Sequence, residues 1–60
     1  MDWTGYNFFY TKDENNQDTD FNIKMVDPNS DITMIPNAEK NRHWQMYQQW
    51  LADGNTTQSE

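Results

Sequence analysis

Sixty residues, a net charge of −6 and no cysteine leave room for one small domain, secured by neither a disulfide nor a thiolate-bound metal. Four basic residues, Lys12, Lys24, Lys40 and Arg42, are too few for the phosphate-contacting stripe of a nucleic-acid binder, and the acidic surplus equally disfavours an anionic membrane. The longest apolar or aromatic runs, "FFY" and "WLA", fall far short of a membrane span or a signal peptide, so the chain reads as a cytoplasmic product.

Hydrophobic residues make up 33% of the chain, yet aromatic residues alone make up 15%. The first figure argues against a self-sufficient core. The second pulls the other way, because each buried ring removes about 150–250 Å² from water. Together they predict a small ordered piece that completes itself on something larger.

In chain order, "YNFFYT" (Tyr6 to Thr11) is the first strand candidate, with Tyr6, Phe8 and Tyr10 on one face and Asn7, Phe9 and Thr11 on the other. In "FNIKMV" (Phe21 to Val26), Phe21, Ile23 and Met25 alternate with Asn22 and Lys24, the period of a half-buried strand. The intervening "KDENNQDTD" exceeds the about two to five residues usual for a hairpin loop. It predicts a long, mobile hairpin over residues 1–26, with two unpaired extended arms as the alternative. Residues 27–37 form a connector, with turn chemistry at Asp27-Pro28-Asn29-Ser30 and a brief extended segment at "ITMI". Pro36 disfavours helix at Ile35, Asn37 suits an N-cap, and Gly54 suits the left-handed position after a helix end. These signals predict a helix over 38–53 and a tail, without a structural signal, over 54–60. Trp44, Tyr47 and Leu51 lie on one helical stripe that His43 and Trp50 widen, while Gln45, Gln48 and Gln49 fall on the other side. The expected fold class is therefore α+β: a small N-terminal β-hairpin, or extended arms, followed by one C-terminal amphipathic helix.

Two readings of that stripe stand side by side. It is the face that covers the hairpin, or part of it anchors an interface, since Trp and Tyr dominate interface hot spots. A hairpin under one helix leaves its other face uncovered, and Phe9 lies there. The expected partner-contacting set is Phe8, Phe9, Tyr10, Trp44, Tyr47, Trp50 and Leu51. On that assignment Trp50→Ala weakens assembly more than Gln49→Ala.

"IPNAEKNRHWQMYQQWLADGNT" carries a resemblance. Ile35-Pro36, Asn41, Trp44, Tyr47, Trp50-Leu51-Ala52 and Gly54-Asn55-Thr56 resemble a C-terminal signature of small bacteriophage proteins, many of them tail-fibre-associated or otherwise linked to virion structure. The match covers about a third of the chain and leaves residues 1–34 without a counterpart. It departs from the pattern at Thr57, where the signature usually continues with proline. The motif's own physics is that of a helical plug: aromatics fill a groove, Gly54 stops the helix, and Asn55 and Thr56 hydrogen-bond the free carbonyl end.

The chain offers few candidate chemical sites. Read as an EF-hand loop from Asp13, "DENNQDTD" places Asp18 where glycine is needed and Lys24 where glutamate is needed, so it reads as a solvated acidic loop. His43 is the lone histidine, a poor metal ligand without a second imidazole or thiolate. The glycosylation sequon at Asn55-Thr56-Thr57 has no secretory route to serve it. The expectation is no catalysis, no cofactor, no metal, no nucleic acid, no membrane and no small-molecule substrate. What the residues and the resemblance imply is a minor structural protein of a phage particle, located in the virion and docked in multiple copies on a larger tail or capsid protein. The alternatives are a small acidic inhibitor of a host enzyme, imitating nucleic acid with Asp13, Glu14, Asp18 and Asp20, and a tail-fibre assembly factor.

Overall fold

The computed structural model describes residues 2–59. It contains strand β1 (Asn7–Lys12), strand β2 (Asp18–Val26), strand β3 (Ile32–Pro36) and helix α1 (Arg42–Ala52). The strands form one antiparallel sheet in the order β1-β2-β3. A three-stranded sheet with one C-terminal helix agrees with the α+β expectation and enlarges it. The "ITMI" segment belongs to a full partner of β2, with Ile35 opposite Ile23 and Thr33 opposite Met25.

The two hairpin turns share one construction. In Asp13–Gln17 the Asp13 carboxylate accepts from the N–H groups of Asn15 (2.8 Å) and Gln17 (3.0 Å). In Asp27–Asp31 the Asp27 carboxylate accepts from Asn29 and Asp31, both at 2.9 Å. In each, the fourth residue closes back on the aspartate carbonyl and adopts a left-handed backbone, at Asn16 (φ 60°) and Ser30 (φ 68°). Asp and Asn are suited to this because their side chains bond local backbone and tolerate positive φ. Of the nine residues expected to be a mobile loop, Lys12 and Asp18–Asp20 are therefore strand. Only Asp13–Gln17 turns, and Lys12 pairs with Asp18 across its base.

The ladder slips between Tyr10 and Thr11, so Asp20, Phe21 and Asn22 bulge from β2. Their carbonyls find other donors: the Thr11 hydroxyl on Asn22 (2.9 Å), the Asn37 side-chain amide on Asp20 (3.2 Å) and the Asn37 N–H on Phe21 (3.0 Å). This pairing overturns the expected helix start. Asn37 closes the bulge, and Asn41 caps the helix instead, accepting from the N–H groups of His43 (2.9 Å) and Trp44 (3.1 Å). At the far end Gly54 takes φ 97° as expected. Asn55, though not Thr56, donates from its side chain to the Trp50 carbonyl at 2.8 Å.

Phe8, Ile23, Met25 and Ile35 from the sheet meet Trp44, Tyr47 and Trp50 from the helix in one core. Ring centroids lie 4.6 Å apart for Phe8–Trp50, 5.4 Å for Phe8–Tyr47 and 5.2 Å for Trp44–Tyr47. Trp3, Tyr6, Tyr10, Met46 and Leu51 pack around it. Trp3 also donates its indole N–H to Asp53 at 2.6 Å, which ties the start of the chain to the helix end.

The tail also differs from expectation. Gln58 forms a parallel bridge with Phe9, donating its N–H to the Phe8 carbonyl (3.0 Å) and accepting from the Tyr10 N–H (2.9 Å). Thr57 is buried, and its hydroxyl lies 2.6 Å from the Tyr47 hydroxyl. The tail is a strap along the outer edge of β1.

Candidate functional site

Four of the seven residues expected to touch a partner are in the chain's own core. Phe8, Trp44, Tyr47 and Trp50 are each no more than 8% exposed. Burying them inside the monomer removes both their availability as anchors and the need for a neighbour to shelter them. The stripe is the lid of the sheet, which is the other of the two readings. Tyr10 and Leu51 sit half-buried at the margin of that core. Phe9 alone of the seven belongs to the opposite face by strand alternation.

That opposite face is set by register. One row across the three strands is Asn7, Val26 and Ile32; the next is Phe9, Lys24 and Met34. The Lys24 amine stands 4.9 Å above the Phe9 ring centroid, a cation–π arrangement that keeps the charge beside apolar neighbours. Ile32 is 62% and Met34 is 53% exposed, because α1 covers only the face that carries Ile23, Met25 and Ile35. Phe21, at 74% exposure, falls on the helix side by alternation but lies at the bulge. The face carrying Phe9, Val26, Ile32 and Met34 is the candidate site. A signal for it existed in "ITMI", where apolar residues occupy both strand faces.

The acidic loop is partly occupied with structural work. Asp13 is turned onto its own turn. Asp18 is held below its ordinary carboxyl value by the Lys12 ammonium and then by the Ser59 hydroxyl. Asp53 is lowered by the Trp3 indole N–H and also by the Gln49 amide. Tyr47 moves the other way: burial raises its hydroxyl, with Thr57 opposing. These shifts follow packing and capping.

Other features are sparse. An open groove of about 520 Å³ runs beside the helix, lined by Glu39, Trp44, Gln45, Gln48, Gln49 and Ala52. It offers one carboxylate and no nucleophile. His43 is exposed in the first helical turn, not part of the packed face. Among the described residues there is no group of three or more His, Asp or Glu able to hold a metal ion, and no helix is long and apolar enough to cross a membrane. No protein-family model, curated protein or solved structure matches the chain.

Proposed function

We propose that this chain acts by docking, as a minor structural protein of a phage particle carried in several copies on a larger tail or capsid protein. The contact surface is the open sheet face, with Phe9, Val26, Ile32 and Met34 as its apolar part and Lys24 set among them. The observation that carries the reading is that Ile32 and Met34 are more than half exposed on one short strand. Apolar surface covered by a partner contributes about 25 cal/mol per Å², and a polar-rimmed apolar patch is the usual mark of such a contact. The phage setting rests on the C-terminal signature. In this reading the amphipathic helix supports the contact face from behind. The reading involves no catalysis, cofactor, nucleic acid or membrane. The acidic-decoy alternative has less support, since Asp13 bonds its own turn and Asp18 is paired with Lys12.

Mass spectrometry of purified particles tests the proposal. The chain is expected at a fixed ratio to one virion protein. A Val26→Lys variant, checked by its thermal melt, is expected to fold and yet be missing from particles. Absence of the parent chain from particles overturns the reading, as does incorporation of folded V26K at the parent level.

A further inference from the structure

The two outer edges of the sheet are treated differently. On β1 the strap occupies the Phe8 carbonyl and the Tyr10 N–H. On β3 the pairing pattern leaves an edge open. The bonds from Asp27 N–H to the Asp31 carbonyl and from Asn37 N–H to the Phe21 carbonyl fix which residues face β2. In the register of β2 with β3, Thr33 and Ile35 point their backbone groups into the ladder, and Ile32 and Met34 point theirs outward. Pro36 has no N–H, and its carbonyl already accepts from Ala38.

We infer that β3 pairs with β3 of a second copy of this chain, antiparallel about a two-fold axis at Thr33. Each copy presents two N–H and two C=O groups, at Ile32 and Met34. In this register Ile32 meets Met34 of the other copy, twice, and four hydrogen bonds form with none left over. Neighbouring registers fail. Centring on Met34 sets Ile32 against Pro36, which has no N–H to give. Centring on Ile32 sets Met34 against Ser30, whose left-handed backbone (φ 68°) is not a strand conformation.

The side chains agree with the backbone. Ile32–Pro36 carries no charged residue, although the chain as a whole is acidic. Natural edge strands are commonly guarded by lysine or an inward charge; β3 has neither, only its short length and Pro36. Antiparallel pairing sends the two Pro36–Asn41 turns to opposite ends. Each helix then runs away from the axis toward its own β1, where Trp50 meets Phe8. The open faces of the two copies lie on the same side of the joined sheet, so Phe9, Val26, Ile32 and Met34 of both form one larger patch. This goes beyond the docking proposal, which a monomer alone satisfies.

The test combines sedimentation equilibrium with amide hydrogen exchange on the full chain, from micromolar to millimolar concentration. Dimer is expected to grow with concentration while the Ile32 and Met34 amides slow by about tenfold or more. Thr33 and Ile35 are expected to be protected throughout. Met34→Pro removes only an outward N–H, which an edge strand tolerates. It is expected to keep Thr33 and Ile35 protected and to abolish the dimer. Should that variant fail to fold, Met34→Lys, at an exposed position, serves the same purpose through charge repulsion across the axis. A monomer at millimolar concentration with freely exchanging Ile32 and Met34 amides overturns the inference. So does a dimer that survives both variants, or an edge that pairs only with a strand of a different protein.

Discussion

The two faces of this sheet are built from the same strands by simple alternation, and they differ almost completely in what they hold. The covered face gathers Phe8, Ile23, Met25 and Ile35 under three helix aromatics. The open face holds Asn7, Phe9, Lys24, Val26, Ile32 and Met34, a mixture of apolar and polar groups. The lesson is that a high aromatic content need not signal a missing partner. Here the large rings are concentrated on one side, where they complete a core too small to be made from aliphatic residues. That leaves Ile32 and Met34 more than half exposed on the other side. On the proposed docking, stability and contact then rest on different side chains.

The sharpest way to break this comparison is Trp50→Ala on the covered face. Truncating a buried Trp costs about 3–5 kcal/mol, comparable to the whole stability of a domain this size at roughly 0.05–0.15 kcal/mol per residue. Circular dichroism is expected to show no cooperative melt, while Gln49→Ala melts close to the parent. Equal losses would mean that the two helix sides are not distinct. This also revises the sequence expectation that Trp50→Ala acts on assembly, because the residue acts on folding first.

A smaller effect is expected from Thr57→Val, which leaves the buried Tyr47 hydroxyl without its partner at a cost of about 1–3 kcal/mol, read from a urea midpoint. The same hydroxyl gives a pH signature. Burial raises its pKa above the ordinary 10.0, so the unfolded chain releases this proton before the folded one does. Stability from this group is fully present below pH 10.0 and falls as pH rises through the folded value. Tyr47→Phe is expected to flatten that alkaline decline.

Next comes the helix cap. Asn41→Ala is expected to lose about 0.5–2 kcal/mol, with helical signal lost first at the N-terminal turn. Asn37→Ala is expected to leave the helix intact and to disturb only amides near Asp20 and Phe21. The smallest effect belongs to the open face: Ile32→Lys is expected to shift folding stability by no more than about 0.5 kcal/mol. A large loss there would show that the open face also carries the fold.

Much of the fold could be read from local rules. The alternation in Tyr6–Tyr10 and Ile23–Met25, the Asp27-Pro28 turn and the Gly54 stop all depend on near neighbours, and each appears where those rules place it. What was not legible depended on distant partners. Asn37 reads as the cap from its neighbours alone, and only the bulge of β2 claims it and leaves the helix to start after Asn41. Thr57 and Gln58 look featureless in sequence because their bonds are to Tyr47 and β1, outside their own neighbourhood in the chain. The site was legible only at Phe9. The apolar residues on both faces of "ITMI" were a signal for Ile32 and Met34, but which face is outside is settled only when the segment pairs with β2.

The strap on β1 has a consequence for how far growth by edge addition can go. A sheet open at both margins recruits copies indefinitely, the route to filaments, whereas one with a single free margin stops after one addition. Gln58, by bridging the other margin at Phe9, limits the inferred pairing to two copies. Cleaving the chain after Thr56 would restore the second margin and turn finite pairing into fibre formation.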